Sequence, residues 1–165
     1  MKNRGVLIFF CGKMGAGKST MSATEAKEKN AVLLSEDDWL SHIYPNQIKN
    51  FDDYIRLSRQ IRPLVGNIVK DILQTGTNVV MDFPANTLRQ RNWFLNLCAV
   101  AESDHVMIYL EATNEICLKH LSIRRQEQPE RSAFDTEEVF LNVTQYFEAP
   151  GESEHINVRK LEVRT

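Results

Sequence analysis

A chain of 165 residues suits one globular domain with a single core, and 42% hydrophobic with 25% charged residues is the balance of an ordinary soluble protein. Twenty basic against 22 acidic side chains leave a net charge of −2, which argues against a general polyanion binder but leaves room for a local basic patch. No apolar run approaches the roughly 20 residues of a membrane span.

The opening "MKNRGVLIFFCGKMG" has a basic start, but its short apolar stretch runs into glycines and Lys13, so it reads as a first strand and not a signal peptide. Within it "RGVLIFFC" is continuously apolar, as a strand buried on both faces should be. "KSTMSATEAKEK" follows as a short helix, and "AVLL" as a second buried strand ended by the acidic "SEDDW". Residues 51–75 carry Ile61, Leu64 or Val65, Ile68 and Ile72 at helical spacing, with Pro63 expected to kink or split the helix and Gly76 to end it. "TNVVMDF" is a third strand, "TLRQRNWFLNLCAVA" a helix and "HVMIYLEA" a fourth strand. "TNEICLKHLSIRRQE" is a helix capped by Thr113 or Asn114. "QPERSAFD" is a polar loop, and Asp135 or Thr136 caps a last helix through about Phe147. "INVRKLEVR" alternates as a final edge strand.

Strands alternating with helices imply an α/β fold, a parallel sheet flanked by helices on both faces. Ligands of such sheets bind beyond the C-terminal ends of the strands. The residues to inspect are therefore 12–19, 35–39, 82–86 and 111–114.

"GKMGAGKS" places Gly12, Gly17, Lys18 and Ser19 on the pattern G-x-x-x-x-G-K-[ST], between a predicted strand and a predicted helix. The segment Gly12, Lys13, Met14, Gly15, Ala16, Gly17, Lys18, Ser19 and Thr20 then reads as a P-loop. Its small residues let successive backbone N–H groups point at phosphate oxygens, helped by the helix dipole. Lys18 supplies a mobile charge for the β/γ-phosphates, and the Ser19 hydroxyl a hard ligand for Mg²⁺. The rival reading, a glycine-rich turn with a chance lysine, does not explain this strand and helix context.

The acids of "SEDDW" suggest an acceptor. Asp37 or Asp38 near the phosphates could take the proton of an attacking hydroxyl, and Asp37 is the choice; alternatively the cluster only caps the next helix. Asp82 ends an apolar strand, the position of a carboxylate that holds Mg²⁺. Arg89 and Arg91 open a helix and face either a bound acceptor or solvent. Arg124, Arg125 and Arg131 surround the polar segment 124–135, a candidate lid bringing positive charge onto the transferring phosphoryl. His42, His105, His120 and His155 show no ligand spacing, and Trp39 and Trp93 read as packing. Cys11, Cys98 and Cys117 are odd in number without metal-type spacing, which suggests reduced thiols in a cytoplasmic protein.

Together, "GKMGAGKST", "LLSEDDWL", "VVMDFPANTLRQR" and "RRQEQPERS" resemble the small P-loop kinases of the AAA_33 type, related to polynucleotide kinase, chloramphenicol phosphotransferase and zeta toxin. The resemblance implies a single domain over residues 1–165 with a five-stranded parallel sheet in the order 2-3-1-4-5, ATP as phosphate donor and a small-molecule hydroxyl as acceptor. It implies Asp37 as general base, Arg124 or Arg125 as the lid arginine with Arg131 a second candidate, and "YFEAPGE" as the stretch beside the adenine. Rival readings are a nucleotide-dependent switch, which has no need of the acid pair, and a 5′-hydroxyl polynucleotide kinase. The near-neutral charge weakens the latter, because a long polyanion calls for a basic track.

Overall fold

The computed structural model describes residues 3–165. Five strands, β1 (Leu7–Cys11), β2 (Val32–Ser35), β3 (Val79–Pro84), β4 (His105–Glu111) and β5 (Val158–Glu162), form one sheet in the order β2-β3-β1-β4-β5. Every pairing is parallel, so this is the architecture of P-loop NTPases. Six helices connect and cover the strands: α1 (Lys18–Glu28), α2 (Glu36–Ile43), α3 (Phe51–Gln74), α4 (Leu88–Ala101), α5 (Asn114–Glu127) and α6 (Glu137–Thr144).

The central strand explains the layering. All five residues of β1 are buried, and alternation sends Leu7, Phe9 and Cys11 to one face and Ile8 and Phe10 to the other. The first face packs on α3 and α4, where the Phe9 ring stacks on Phe94 at 4.4 Å between centroids. The second collects Ala26 of α1, Cys117 and Leu121 of α5 and Phe140 of α6. Thr87, Thr113 and Thr136 each cap a helix by accepting a backbone N–H, so the later of each pair of expected caps serves α6 and the earlier serves α5.

Three expectations are corrected. The second strand is not buried: β2 is a sheet edge, with Val32 38% and Leu33 40% exposed. Pro63 does not split α3, which runs unbroken from Phe51 to Gln74. Pro63 lies on the exposed face, as does Arg59, whose carbonyl loses its partner there and can turn to water. The buried stripe Leu57, Ile61, Val65, Val69 and Leu73 runs past the proline uninterrupted. The last helix stops at Thr144 instead of reaching Phe147. β5 is the expected edge strand, paired with β4.

Candidate active site

The C-terminal end of β1 opens onto the loop between Gly12 and Lys18. Gly15 has φ +82° and would carry a Cβ 2.7 Å from the Cys117 carbonyl oxygen, so only glycine lets the loop pass this close to α5. Gly17, at φ +104°, is the N-cap of α1 and supplies no side-chain cap, with open space where its Cβ would be. The first N–H groups of α1 therefore take no cap from the Gly17 position, the arrangement that suits a polyphosphate. Ala16 is buried, Met14 packs against the α5 face, and Ser19 and Thr20 are exposed.

Side chains from other elements hold the loop. Asn86, just after β3, accepts the Gly12 N–H at 2.9 Å, and the Lys13 ammonium donates to Asn114 Oδ1 at 2.9 Å. His120 Nδ1 lies 2.7 Å from the Gly15 carbonyl. The Lys18 ammonium folds back to donate to the carbonyls of Gly12 at 2.5 Å and Lys13 at 3.0 Å. Burial pushes Lys18 down to about 8, against the opposing pull of Asp82.

The Ser19 hydroxyl donates to Asp82 Oδ2 at 2.8 Å, so the first turn of α1 meets the end of β3. Burial raises the Asp82 pKa; the charges of Asp37 and Asp38 add to this, while Ser19 and Lys18 oppose it. A hydroxyl and a carboxylate in contact are a hard-oxygen donor set, which fits Mg²⁺. Among the described residues no group of three or more His, Cys, Asp or Glu side chains forms a metal cage.

The three acids after β2 have different surroundings. Ser35 is the α2 cap, accepting the Asp38 N–H at 3.4 Å, so neither aspartate side chain is needed for capping. Asp37 and Asp38 are exposed, and the Asp37 carboxylate lies 3.8 Å from Arg131 Nη1. Glu36 is buried, taking hydroxyl hydrogen bonds from Tyr54 and Ser58 of α3. Burial raises its pKa and the two hydroxyls counter it.

Between α5 and α6 the three candidate arginines converge on Asp135, which is fully buried. Arg124 engages both its oxygens, at 2.7 and 2.6 Å, Arg131 Nε donates to Oδ2 at 3.1 Å, and Arg125 donates to its backbone carbonyl. Burial alone would raise the Asp135 pKa, but the Arg124 and Arg131 guanidinium groups outweigh it and hold the carboxyl below its ordinary range. Arg131 thus spans from Asp135 to Asp37.

The AAA_33 profile, described as an AAA domain, matches residues 7–150. The chain belongs to the AAA_33 family. It is 26% identical over 150 residues to the L-seryl-tRNA(Sec) kinase of Methanococcus maripaludis, covering 88% of this chain. The match takes in 54% of that protein, so the chain spans about half the length of the curated relative. Among solved structures, a candidate kinase from Chloroflexus aurantiacus j-10-fl superposes with a TM-score of 0.74 at 17% identity, over 97% of this chain and 89% of that one. The APS kinase of Mycobacterium tuberculosis gives 0.63 at 17% identity, over 97% and 89%. A gluconokinase from Sinorhizobium meliloti 1021 gives 0.61 at 13% identity, over 100% and 86%. At these identities the likeness establishes a shared fold.

In this AAA_33 chain, Arg89 is exposed, whereas Arg91 is buried and turned away from solvent. Arg91 is 1% exposed, donating to both Glu154 carboxylate oxygens at 2.7 and 3.2 Å and to the Ala85 carbonyl at 3.0 Å. It braces the segment after α6 against the end of β3, beside the P-loop. Glu148 joins the same brace, its N–H donating to the Asn86 carbonyl and its carboxylate accepting the Leu88 N–H. Cys11, Cys98 and Cys117 are buried free thiols, and burial raises the pKa of each. Among the described residues no helix is long and apolar enough to cross a membrane.

Sequence reasoning missed Glu36, Asn86, Asp135 and Glu154 as organising residues. Asn86 and Glu36 fall within the post-strand windows where ligands were expected. Asp135 was read only as a cap, and no sequence signal links Glu154 to Arg91.

Proposed function

We propose that this AAA_33 chain is an ATP-dependent phosphotransferase acting on a hydroxyl acceptor. The observation that carries the reading is the convergence of three elements at one end of the sheet. These are the uncapped N-terminus of α1, the Ser19–Asp82 pair, and an exposed Asp37 paired with Arg131 from the arginine-bearing segment. The P-loop amides and Lys18 bind the triphosphate. Ser19 and Asp82 would hold a Mg²⁺ ion, which would supply charge neutralisation on the phosphates. Asp37 accepts the acceptor's hydroxyl proton as the acceptor oxygen bonds to the γ-phosphorus. The bond from that phosphorus to the β,γ-bridging oxygen breaks and ADP leaves with the electron pair. Arg124, Arg125 and Arg131 form a lid that sets positive charge near the transferring group, and Arg89 lies on the acceptor side. Three buried, unpaired thiols suit the reducing cytoplasm, where we place the protein.

A hydroxyl carried on RNA is a second reading, favoured by the similarity to L-seryl-tRNA(Sec) kinase over 88% of the chain. The test incubates the protein with Mg-ATP and either a pool of small hydroxyl compounds or seryl-tRNA, and reads phosphate gain by mass spectrometry beside an Asp37→Asn control. A product that forms with the wild type and not with the variant is expected. Normal transfer by Asp37→Asn removes Asp37 as base, and ATP binding without any phosphorylated product in either pool removes the kinase reading.

A further inference from the structure

Helix α2 has eight residues and buries only Glu36 and Leu40. These stand four apart, and Trp39, half-buried against the same core, completes the inward face. An isolated helix this short is not stable in water, and its rotation about its own axis is set by what that face touches. One of its anchors is a carboxylate. Burying a carboxylate costs several kcal/mol, and an apolar side chain would seal α2 against α3 at lower cost. The carboxylate nevertheless has a built site: Ser58 Oγ donates to Oε2 at 2.6 Å and the Tyr54 hydroxyl donates to Oε1. Tyr54 and Ser58 stand four apart on α3, with Arg62 one further turn along the same stripe, and the Arg62 charge favours the ionised Glu36.

We propose that Glu36 is the positioning residue for Asp37: its carboxylate, gripped by Tyr54 and Ser58, sets the rotation of α2 that turns Asp37 toward Arg131. Successive helix residues project about 100° apart, so fixing Glu36 against α3 also fixes the direction of Asp37. A hydrophobic anchor would permit sliding and rotation, whereas two directed hydrogen bonds do not. Glu36 itself cannot serve as the base, because it is 3% exposed and both its oxygens are occupied.

The inference rests on the reading of Asp37 as base, and the experiment separates the two. Mg-ATP hydrolysis with water as acceptor is measured for wild type, Glu36→Gln, Asp37→Asn and the double variant, with rates normalised to ATP-binding stoichiometry so that misfolded protein does not count. Glu36→Gln is expected to bind ATP within about twofold of wild type and to lose about tenfold or more in kcat, since small misplacements of a reacting group cost up to about a hundredfold. Added to Asp37→Asn, it should cost nothing further. Ser58→Ala, which removes one grip and keeps the carboxylate, should lose a smaller part of kcat, and Ser58→Thr should restore it. A wild-type kcat for Glu36→Gln beside an inactive Asp37→Asn overturns the positioning role alone. A further loss in the double variant shows that Glu36 acts independently of Asp37 and also overturns it. A wild-type rate for Asp37→Asn overturns the base assignment and with it the proposal.

Discussion

Replacing Glu154 by glutamine tests whether Arg91 is a brace. The pair is buried from both sides, with side-chain exposures of 1% for Arg91 and 9% for Glu154. Glutamine keeps the shape but not the charge, and it offers one acceptor oxygen where two guanidinium N–H groups need partners. The Gly151 N–H, which donates to Glu154 Oε2 at 2.8 Å, competes for the same end of the side chain. Removing one member of a buried ion pair costs about 3–5 kcal/mol, and the surviving Ala85 contact sets this case at the lower end, about 3 kcal/mol. For a chain of this size each kcal/mol moves Tm by about 2–4 °C, so the expected drop is about 6–12 °C.

The pH dependence sharpens the test. Burial would raise the Glu154 pKa, but Arg91 and the Gly151 N–H hold it below the ordinary glutamate range. A depressed carboxyl stabilises the fold above its unfolded pKa, about 4.3, and that contribution is lost as pH falls through the folded value. Glutamine does not titrate. Thermal unfolding followed by circular dichroism from pH 7 to pH 3 should therefore show the gap between wild type and variant narrowing with acid. A drop under about 1 °C at pH 7 would refute the brace, as would a gap that stays constant into acid.

Lys18, pushed down to about 8, carries its full charge only below that value. ATP affinity measured by calorimetry should weaken as pH rises from 7 to 9, and Lys18→Arg should flatten the dependence; a pH-independent wild type contradicts the assignment. The thiols of Cys11 and Cys98 are pushed up to about 11 and about 12. A thiol reagent at pH 8 should leave the native protein unlabelled and modify all three cysteines after unfolding, so one fast-reacting native thiol counts against their burial as the controlling factor.

Short-range patterns carried the architecture and the phosphate cradle. The pattern Gly12, Gly17, Lys18, Ser19 needs only a strand before it and a helix after it, and both are written in local apolar spacing. Asp82 stood out as the lone carboxylate of the apolar strand "TNVVMDF", and the edge strand "INVRKLEVR" because it alternates. Where the burial of an element depends on its neighbours, local pattern failed: "AVLL" looks like a buried strand, yet β2 has a partner on one side only. Pro63 likewise breaks a helix only if its surroundings leave the freed carbonyl unsatisfied, and on an exposed face they need not.

The partners of charged side chains were decided only in three dimensions. Arg91 finds Glu154 63 residues away, Arg124 finds Asp135 11 residues away, and Glu36 finds Ser58 22 residues away. A sequence displays a charge without its counter-charge, so Arg91 looks as available to a ligand as Arg89. Burial decides between them, because a desolvated charge must be paired within the fold while an exposed one need not be. The chain's residues by themselves determined the loop that links β1 to α1; which charges beside it stay exposed and which are paired, only the tertiary structure decided.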